Sequence, residues 1–151
     1  MHGAGKTRQL FVVIENDVEM SPHWFHALSN LWLKYGGRDD LAGVGLHLQK
    51  YVADPVARRD SLENSIPEGL YLNQLPASIA SSPHPRHLTK MIAKYGDKFG
   101  SCPADMNCSP DVWEGWWLQY GVDHSLFTVF WGGTRAFAVD HRDQGRHTSG
   151  E

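Results

Sequence analysis

The sequence lacks the long apolar runs and the surplus of basic residues that mark two large classes of protein. No apolar stretch approaches the roughly 18 residues that a membrane-spanning helix needs, so no membrane span is expected in this chain. Lysine and arginine number 14 against 17 aspartate and glutamate residues, and the net charge of -3 gives no reason to expect a nucleic-acid partner. The N-terminus also lacks the apolar region of a signal peptide.

Cysteine is scarce as well. The chain has two cysteines, Cys102 and Cys108, which lie in a proline-rich segment. A local disulfide between them would imply an oxidising compartment, whereas two free thiols fit the spacing equally well. No C-x-x-C pair or matching histidine spacing accompanies them, which argues against a zinc site. The redox compartment therefore stays open.

What the chain does contain is typical of one globular α/β domain. Its 151 residues, 41% of them hydrophobic, are enough for a single core. Alternating signals predict strands near residues 11–15, 43–48, 70–75 and 126–131, and helices near 22–35, 85–98 and 111–120. Ser21 is a candidate N-cap of the first helix, with Pro22 in its first turn. The polar residues 49–68 are expected to form a long surface loop.

One stretch near the N-terminus combines a strand with a cluster of acids. Residues 11–14 are apolar and lead into Glu15, Asp17 and Glu19. Such a run predicts a strand buried on both faces, with the acids at its carboxyl end, where open α/β sheets bind ligands. Residues two apart on an extended backbone point the same way, so Glu15 and Asp17 are expected to face one Mg²⁺ or Mn²⁺ ion. The alternative is a strand that ends in solvated acids before the next helix.

The acidic stretch carries a resemblance to a known family. Residues 13–22, Val-Ile-Glu-Asn-Asp-Val-Glu-Met-Ser-Pro, resemble the signature of GT-A-fold glycosyltransferases, in particular a family-2-like group. That signature reads hydrophobic, E-D-D, hydrophobic, E, hydrophobic, S-P. In that fold the acidic triplet holds a divalent cation against the diphosphate of a nucleotide sugar. Asn16 replaces the middle acid here and removes one charge from the expected site.

Further segments resemble the same family in the same order. Residues 42–48 are similar to its G-x-S-L strand, and residues 71–78 to its L-x-x-Q-x-P-x-S segment, although Ile79 and Ala80 stand where the family has Trp-Gly. Residues 113–130 resemble a tryptophan-bearing helix followed by an aromatic strand, and residues 139–147 a terminal N-H-x-E-x-G-x-H pattern. The resemblance thus implies a partial glycosyltransferase domain over residues 10–147, between a disordered N-terminus at 1–9 and a disordered tail at 148–151.

The implied fold is a partial GT-A, Rossmann-like sheet flanked by helices. In the family, a nucleotide-binding half precedes the acidic motif. That half is expected to be absent from this chain, because the acidic motif comes only a few residues after the first residue. An exposed sheet edge or apolar face is expected where the absent half would pack.

The resemblance also implies a metal-dependent transfer reaction. A Mn²⁺ or Mg²⁺ ion would neutralise the diphosphate leaving group as the bond to the sugar breaks. Glu15 and Asp17 are its expected protein ligands. His141 and His147, in the terminal motif, are candidates to complete the coordination, the alternative being solvated histidines in a polar tail.

An inverting transfer needs a base for the acceptor hydroxyl. Asp111 and Glu114, near the start of the third predicted helix, are the candidate catalytic residues. For Asp111 the alternative is a helix cap, and for Glu114 a solvated helix face.

Two residues are expected to contact the substrate. Trp113 and Trp117 are four apart and share a helix face that is expected in the core, whereas Trp116 lies off that face and could stack on a sugar ring. Gln74, in the segment with the Q-x-P pattern, is the second candidate. His84 and His87 are expected to be surface histidines without metal.

The first functional hypothesis is a glycosyltransferase-like domain that uses a nucleotide-sugar donor and a glycan, lipid or small-molecule acceptor, and is incomplete as an isolated chain. The alternative is a non-catalytic remnant or interaction module of the same fold. A metal-dependent phosphohydrolase is a third reading, since two acids at a strand end suit that chemistry too. Cytoplasmic and Golgi-lumenal locations both stay open.

Overall fold

The structure, a computed structural model, describes residues 10–49, 51–52, 60–61, 68–77, 79–101, 103, 113–132 and 137–140. The strands are β1 Val13–Ile14, β2 Val18–Met20, β3 Leu41–Gly45, β4 Tyr51–Val52, β5 Asp60–Ser61, β6 Leu70–Asn73, β7 Ala80–Pro83, β8 Phe127–Trp131 and β9 Ala138–Asp140. The helices are α1 Trp24–Tyr35, α2 Pro85–Tyr95 and α3 Glu114–Asp123, and a short 3₁₀ helix, Gly96–Lys98, follows α2. Within these ranges, none of the helices is long and apolar enough to span a membrane.

The centre of the fold is a mixed five-stranded sheet in the order β1-β7-β3-β8-β6. Strands β3 and β8 are parallel, and the other neighbouring strands pair antiparallel. Strands β1, β3 and β8 therefore run in one direction and end on the same side of the sheet, which we call the carboxyl end. Two ribbons, β2–β9 and β4–β5, lie outside this sheet, and the second of them falls within the segment predicted as a loop. The predicted α/β class is confirmed.

Helices cover both faces of the sheet. Since consecutive strand residues point to opposite sides, one strand contributes to the clusters on both faces. Leu41 contributes to the cluster formed with α1, and its neighbour Ala42 to the cluster formed with α2 and α3. The first cluster consists of Leu28, Leu31, Trp32, Leu41, Val44, Leu46, Ala80, Val129 and Ala138. The second consists of Ala42, Met91, Tyr95, Trp116, Trp117, Tyr120 and Leu126.

Strand β1 differs from its prediction. The apolar run was expected to be buried on both faces, but among the described residues β1 is an edge strand of the sheet and pairs with β7. Phe11 and Ile14 are 42% and 41% exposed. An apolar run alone does not tell whether a second strand lies beside it, so the prediction of full burial was wrong. The expectation of an uncovered sheet edge stays a prediction.

Strand β7 was not predicted, although it lies between β1 and β3. Its sequence, Ala-Ser-Ser-Pro, has no β-branched residue and no alternation of apolar and polar residues. The backbones of β3 and β7 are close together: a Cβ atom at Gly43 in β3 would lie 2.6 Å from the Ser82 carbonyl oxygen. Long-range pairing therefore forms a strand that local propensity does not indicate.

Helix α1 begins two residues later than Ser21-Pro22 suggests. The Ser21 backbone N–H donates to the Phe137 carbonyl at 2.8 Å, which attaches Ser21 to the segment before β9. A turn follows, in which Trp24 N–H donates to the Ser21 carbonyl at 3.0 Å. The N-cap residue is His23, without a side-chain cap, so the prediction of Ser21 as N-cap was wrong.

A chain of buried hydrogen bonds connects α1, β7 and the segment before β1. The Ser82 hydroxyl, fully buried, accepts a hydrogen bond from Trp32 Nε1 at 2.9 Å and donates one to the Phe11 carbonyl at 2.6 Å. The Trp32 indole N–H and the Ser82 hydroxyl are removed from water, so loss of the hydroxyl would leave the indole N–H buried and unsatisfied. Ser82 thereby fixes the helix and the sheet edge to the same strand.

We expect Ser82→Ala to lower the free energy of unfolding by about 1–3 kcal/mol, because Trp32 and Phe11 both lose a buried partner. The control is Ser81→Ala. The Ser81 hydroxyl is buried and has no hydrogen-bond partner among the described residues, so its removal should leave stability unchanged or slightly higher. Urea unfolding of the two variants measures the difference, and equal losses would contradict the assignment.

A second expectation concerns the contact between β3 and β7. In Gly43→Ala the new Cβ would lie 2.6 Å from the Ser82 carbonyl oxygen and 2.9 Å from Pro83 Cα, both backbone atoms. Thermal unfolding should show a loss of about 1–3 kcal/mol, typical of overpacking. Gly37→Ala meets nothing within 4 Å and should change stability by less than about 0.5 kcal/mol. A neutral Gly43→Ala would show that the strands are not this close.

Candidate functional site at the carboxyl end of the sheet

The acids that follow β1 lie in a tight turn at the carboxyl end of the sheet. The Val18 N–H donates to the Glu15 carbonyl at 3.3 Å, which closes a four-residue turn with Asn16 and Asp17 at its centre. The Glu15 N–H donates to the Ile79 carbonyl at 3.1 Å and ties the turn to the start of β7. We call residues 15–18 the acidic turn.

The turn changes the argument for metal binding. Glu15 and Asp17 were expected to face the same way because alternate residues of a strand do so, but β1 ends at Ile14 and the acids lie on turning backbone. Residues two apart in this turn therefore need not point the same way. Asn16 is exposed, and Glu15 and Asp17 are half-buried. Convergence of the two carboxylates on one ion stays a prediction.

The β2–β9 ribbon holds the acidic turn against the carboxyl end of β3. In this ribbon Val18 lies opposite Asp140 and Met20 opposite Ala138. The Leu46 carbonyl, just after β3, accepts hydrogen bonds from the Phe137 N–H at 2.8 Å and the Ala138 N–H at 3.1 Å. Val18 and Met20 pack against the cluster formed with α1, whereas Glu19 between them is exposed.

The C-terminal histidines follow this ribbon in the sequence. Strand β9 ends at Asp140, whose backbone pairs with Val18, next to Asp17. His141 and His147 lie outside the described residues, so their part in a metal site stays a prediction. Cys102 and Cys108 are outside them too.

Glu114 is the first residue of α3. It is half-buried, and a carboxylate in the first helical turn interacts favourably with the helix dipole. The N-cap residue is Trp113. Asp111 itself lies outside the described residues. A base role for either acid stays a prediction.

Trp116 is buried, contrary to the expectation that it lies off the core face of α3. It is 8% exposed, its ring stacks on Tyr95 with 4.9 Å between centroids, and its Nε1 donates to the Ser101 carbonyl at 2.8 Å. Helices α2 and α3 pack closely enough that α3 buries a wider stripe than one face. The predicted position was therefore wrong, and contact with a substrate stays untested.

Gln74 lies far across the sheet from the acidic turn. It follows β6, which is the edge strand opposite β1. Neighbouring strands are about 4.8 Å apart, so the two edge strands of five are separated by about 19 Å. Asn73 pairs with Thr128 near the beginning of β8, which also places Gln74 away from the carboxyl end. The structure does not bring Gln74 and the acids together.

His47 is a buried residue at the carboxyl end that the sequence analysis did not select. It comes two residues after the end of β3, is 7% exposed, and packs edge-on against Phe130 with 5.6 Å between ring centroids. Only β7 lies between β1 and β3, so the ends of these strands are about 10 Å apart. The available signal was a titratable residue at the end of a predicted strand.

His84 and His87 are buried, contrary to their prediction as surface residues. They are 8% and 7% exposed, since the start of α2 packs against Trp32 and Tyr120. Their segment contains two prolines and an arginine, which resembles an exposed turn in sequence alone. They lie at the opposite end of the sheet from the acidic turn, because α2 begins after the last residue of the reversed strand β7.

The acidic turn offers hard oxygen ligands and little else from the described residues. In that part of the chain, no group of three or more His, Cys, Asp or Glu side chains comes together. Mg²⁺ and Mn²⁺ accept water and substrate phosphate oxygens as ligands, so two carboxylates are compatible with either ion when a phosphate completes the shell.

No model of a known protein family matches the chain, and no curated protein matches it either. The structure supports the α/β class with a mixed sheet flanked by helices. The GT-A assignment rests on sequence motifs and stays a prediction.

The burial of Trp116 generates a test. We expect Trp116→Ala to lower the free energy of unfolding by about 3–5 kcal/mol, because it removes a stacked ring from the core and leaves a cavity. Phe25→Ala, which removes an aromatic ring that is 60% exposed, should change it by less than about 0.5 kcal/mol. Chemical unfolding checks both variants. A stable Trp116→Ala protein would return Trp116 to the candidates for a surface binding role.

Proposed function

We propose that this chain is a glycosyltransferase-like domain that acts on a nucleotide-sugar donor with the help of a divalent cation. The observation that carries the proposal is the acidic turn: Glu15 and Asp17 stand at the carboxyl end of β1, and β9 ends beside Val18. Ligands bind at this end of strands in open α/β sheets. The order of motifs from residue 13 to residue 147 supports the same family.

In this proposal Glu15 and Asp17 bind Mn²⁺ or Mg²⁺ against the diphosphate. The ion stabilises the negative charge that develops on the leaving group. His141 or His147 joins the coordination, since His141 directly follows Asp140 and the Asp140 backbone pairs with the residue after Asp17. Asn16 contributes no charge, so the bound phosphate supplies more of the ligand set than in a site with three acids.

Glu114 or Asp111 acts as the base that takes the proton of the acceptor hydroxyl. Helix α3 leads into β8, and Glu114 is its first residue and is half-buried. Trp116 and Gln74 are weaker substrate candidates, because the first is buried against Tyr95 and the second follows the opposite edge strand.

The isolated domain is proposed to be incomplete. Among the described residues, strand β1 lies at the edge of the sheet with Phe11 and Ile14 exposed, and in this proposal that surface packs against a nucleotide-binding half. Without base and ribose contacts, the donor loses the remote interactions that hold its diphosphate in place. The same exposed edge favours the alternative, a non-catalytic module of this fold that binds a partner without turnover.

Calorimetric titration with Mn²⁺, alone and with a nucleotide sugar, tests the metal site. The wild-type chain should bind Mn²⁺ weakly, and Glu15→Gln and Asp17→Asn should each weaken binding by at least about tenfold, since even outer-shell changes cost that much. The control is Glu68→Gln, which removes the same charge from an exposed residue beside the opposite edge strand β6. Equal effects in all three variants would indicate only non-specific attraction.

Transfer separates the proposal from its alternative. The isolated chain should show no detectable sugar transfer, and fusion of a nucleotide-binding half upstream of residue 10 should restore it. Asp17→Asn should then abolish transfer without unfolding the domain. Metal binding without transfer in the fused protein would favour the non-catalytic module, and phosphate-ester hydrolysis without an acceptor would favour a phosphohydrolase.

A further inference from the structure

The start of α2 is held by two buried histidines. His84 is the N-cap residue, and its Nδ1 accepts a hydrogen bond from the Arg86 backbone N–H at 3.2 Å. An imidazole nitrogen accepts only while it carries no proton, so this cap requires Nδ1 to be unprotonated. The ring also packs edge-on against Trp32, with 5.3 Å between centroids.

His87 is neutral for a different geometric reason. Its Nε2 lies 3.2 Å from the Asp39 carbonyl oxygen, which can only accept, so Nε2 carries the proton. Its Nδ1 is buried and has no hydrogen-bond partner within the described ranges. Protonation of Nδ1 would therefore create an imidazolium with a donor that finds no acceptor. The two histidine rings are 5.3 Å apart, so a charge on one disfavours a charge on the other.

The surroundings of the pair contribute mainly positive charge. On α2, Arg86 and Lys90 are close enough to disfavour the charged ring, and so is the N-terminal end of the helix dipole. From α3, Tyr120 and, behind it, His124 face the pair. From the turn before β3, the Asp39 carboxylate is 90% exposed and binds Arg86 at 2.6 Å. Helix α1 contributes Trp32, which is uncharged.

We propose that His84 and His87 form a pH-sensitive latch, which holds the start of α2 against α1 and the turn before β3 while both rings are neutral and releases it on acidification. Protonated His84 loses its cap acceptor, and protonated His87 becomes an unpaired buried cation. The latch is independent of the proposed transfer reaction and of any bound metal.

The direction of the pH dependence follows from the folded state. Burial lowers the pKa of His87 below its ordinary value of 6.5; the hydrogen bond to the Asp39 carbonyl opposes this less strongly, and the charges of His84, Arg86 and Lys90 each lower the pKa by a smaller amount. Unfolding therefore takes up protons below about pH 6.5. The stability that both neutral rings provide is complete above that pH and decreases as the pH falls toward the lowered pKa.

Unfolding measured from pH 7.5 to pH 4.5 by denaturant titration tests the latch, over a range of about 3 units around the titration of histidine. For the wild-type chain, each latched histidine should raise the unfolding equilibrium constant by up to about tenfold per pH unit below pH 6.5. His84→Asn keeps a cap acceptor that does not titrate, and His87→Gln keeps a donor for Asp39. Each variant should reduce the change in the unfolding equilibrium constant by up to about tenfold per pH unit relative to the wild-type chain. His23→Gln, at an exposed position, should keep the wild-type dependence.

Nuclear magnetic resonance of the wild-type chain provides a readout that does not depend on the variants folding. The ring protons of His87 should titrate below the ordinary histidine pKa of 6.5, and the Arg86 amide should lose protection as the pH falls through that titration. Titration of His87 at or above pH 6.5 would overturn the proposal. So would folded His84→Asn and His87→Gln proteins that retain the full wild-type pH dependence.

Discussion

The hydrogen bonds of the Ser82 hydroxyl are the interactions on which the arrangement of the layers depends most directly. From the interior of the sheet, the hydroxyl is hydrogen-bonded to Trp32 of α1 and to Phe11 in the segment before β1. Because the hydroxyl and the Trp32 indole are both buried, water cannot replace the bond between them without opening the structure. Strand β7, which carries Ser82, also begins next to the residue that anchors the acidic turn. One strand of small residues thus positions a helix, a sheet edge and the candidate site.

The parts of the fold that the sequence predicts are those whose periodicity is local. The stripe of Leu28, Leu31 and Trp32 in α1 recurs at helical spacing, and the apolar strands β3, β6 and β8 lie within a few residues of their predicted positions. Strands β7, β2 and β9 were not predicted. Their residues form strands because distant segments pair with them, and the local sequence pattern does not indicate that pairing.

The candidate site shows the same division. The acids at the end of β1 and their place at the carboxyl end of the sheet follow from a strand that runs into carboxylates. Their turn, the burial of Trp116 and the distant position of Gln74 do not, since each depends on which element packs beside it. The burial of His84 and His87 is a similar case: a segment with two prolines resembles a surface turn until Trp32 and Tyr120 cover it. Motif spacing was enough to select candidate residues, but it did not show which elements pack beside them.

The long-range bonds of the acidic turn have a consequence for the order in which the chain acquires structure during synthesis. Glu15 is hydrogen-bonded to Ile79, and Val18 pairs with Asp140, so the acidic turn depends on segments roughly 65 and 120 residues later in the chain. On a ribosome that adds about 5–20 residues per second, the acids stay unanchored for several seconds or more. Helix α1 and its apolar stripe emerge before their sheet. The acidic turn is therefore synthesised well before the segments that fix it, and a chain that ends before residue 138 would leave the turn without its ribbon partner.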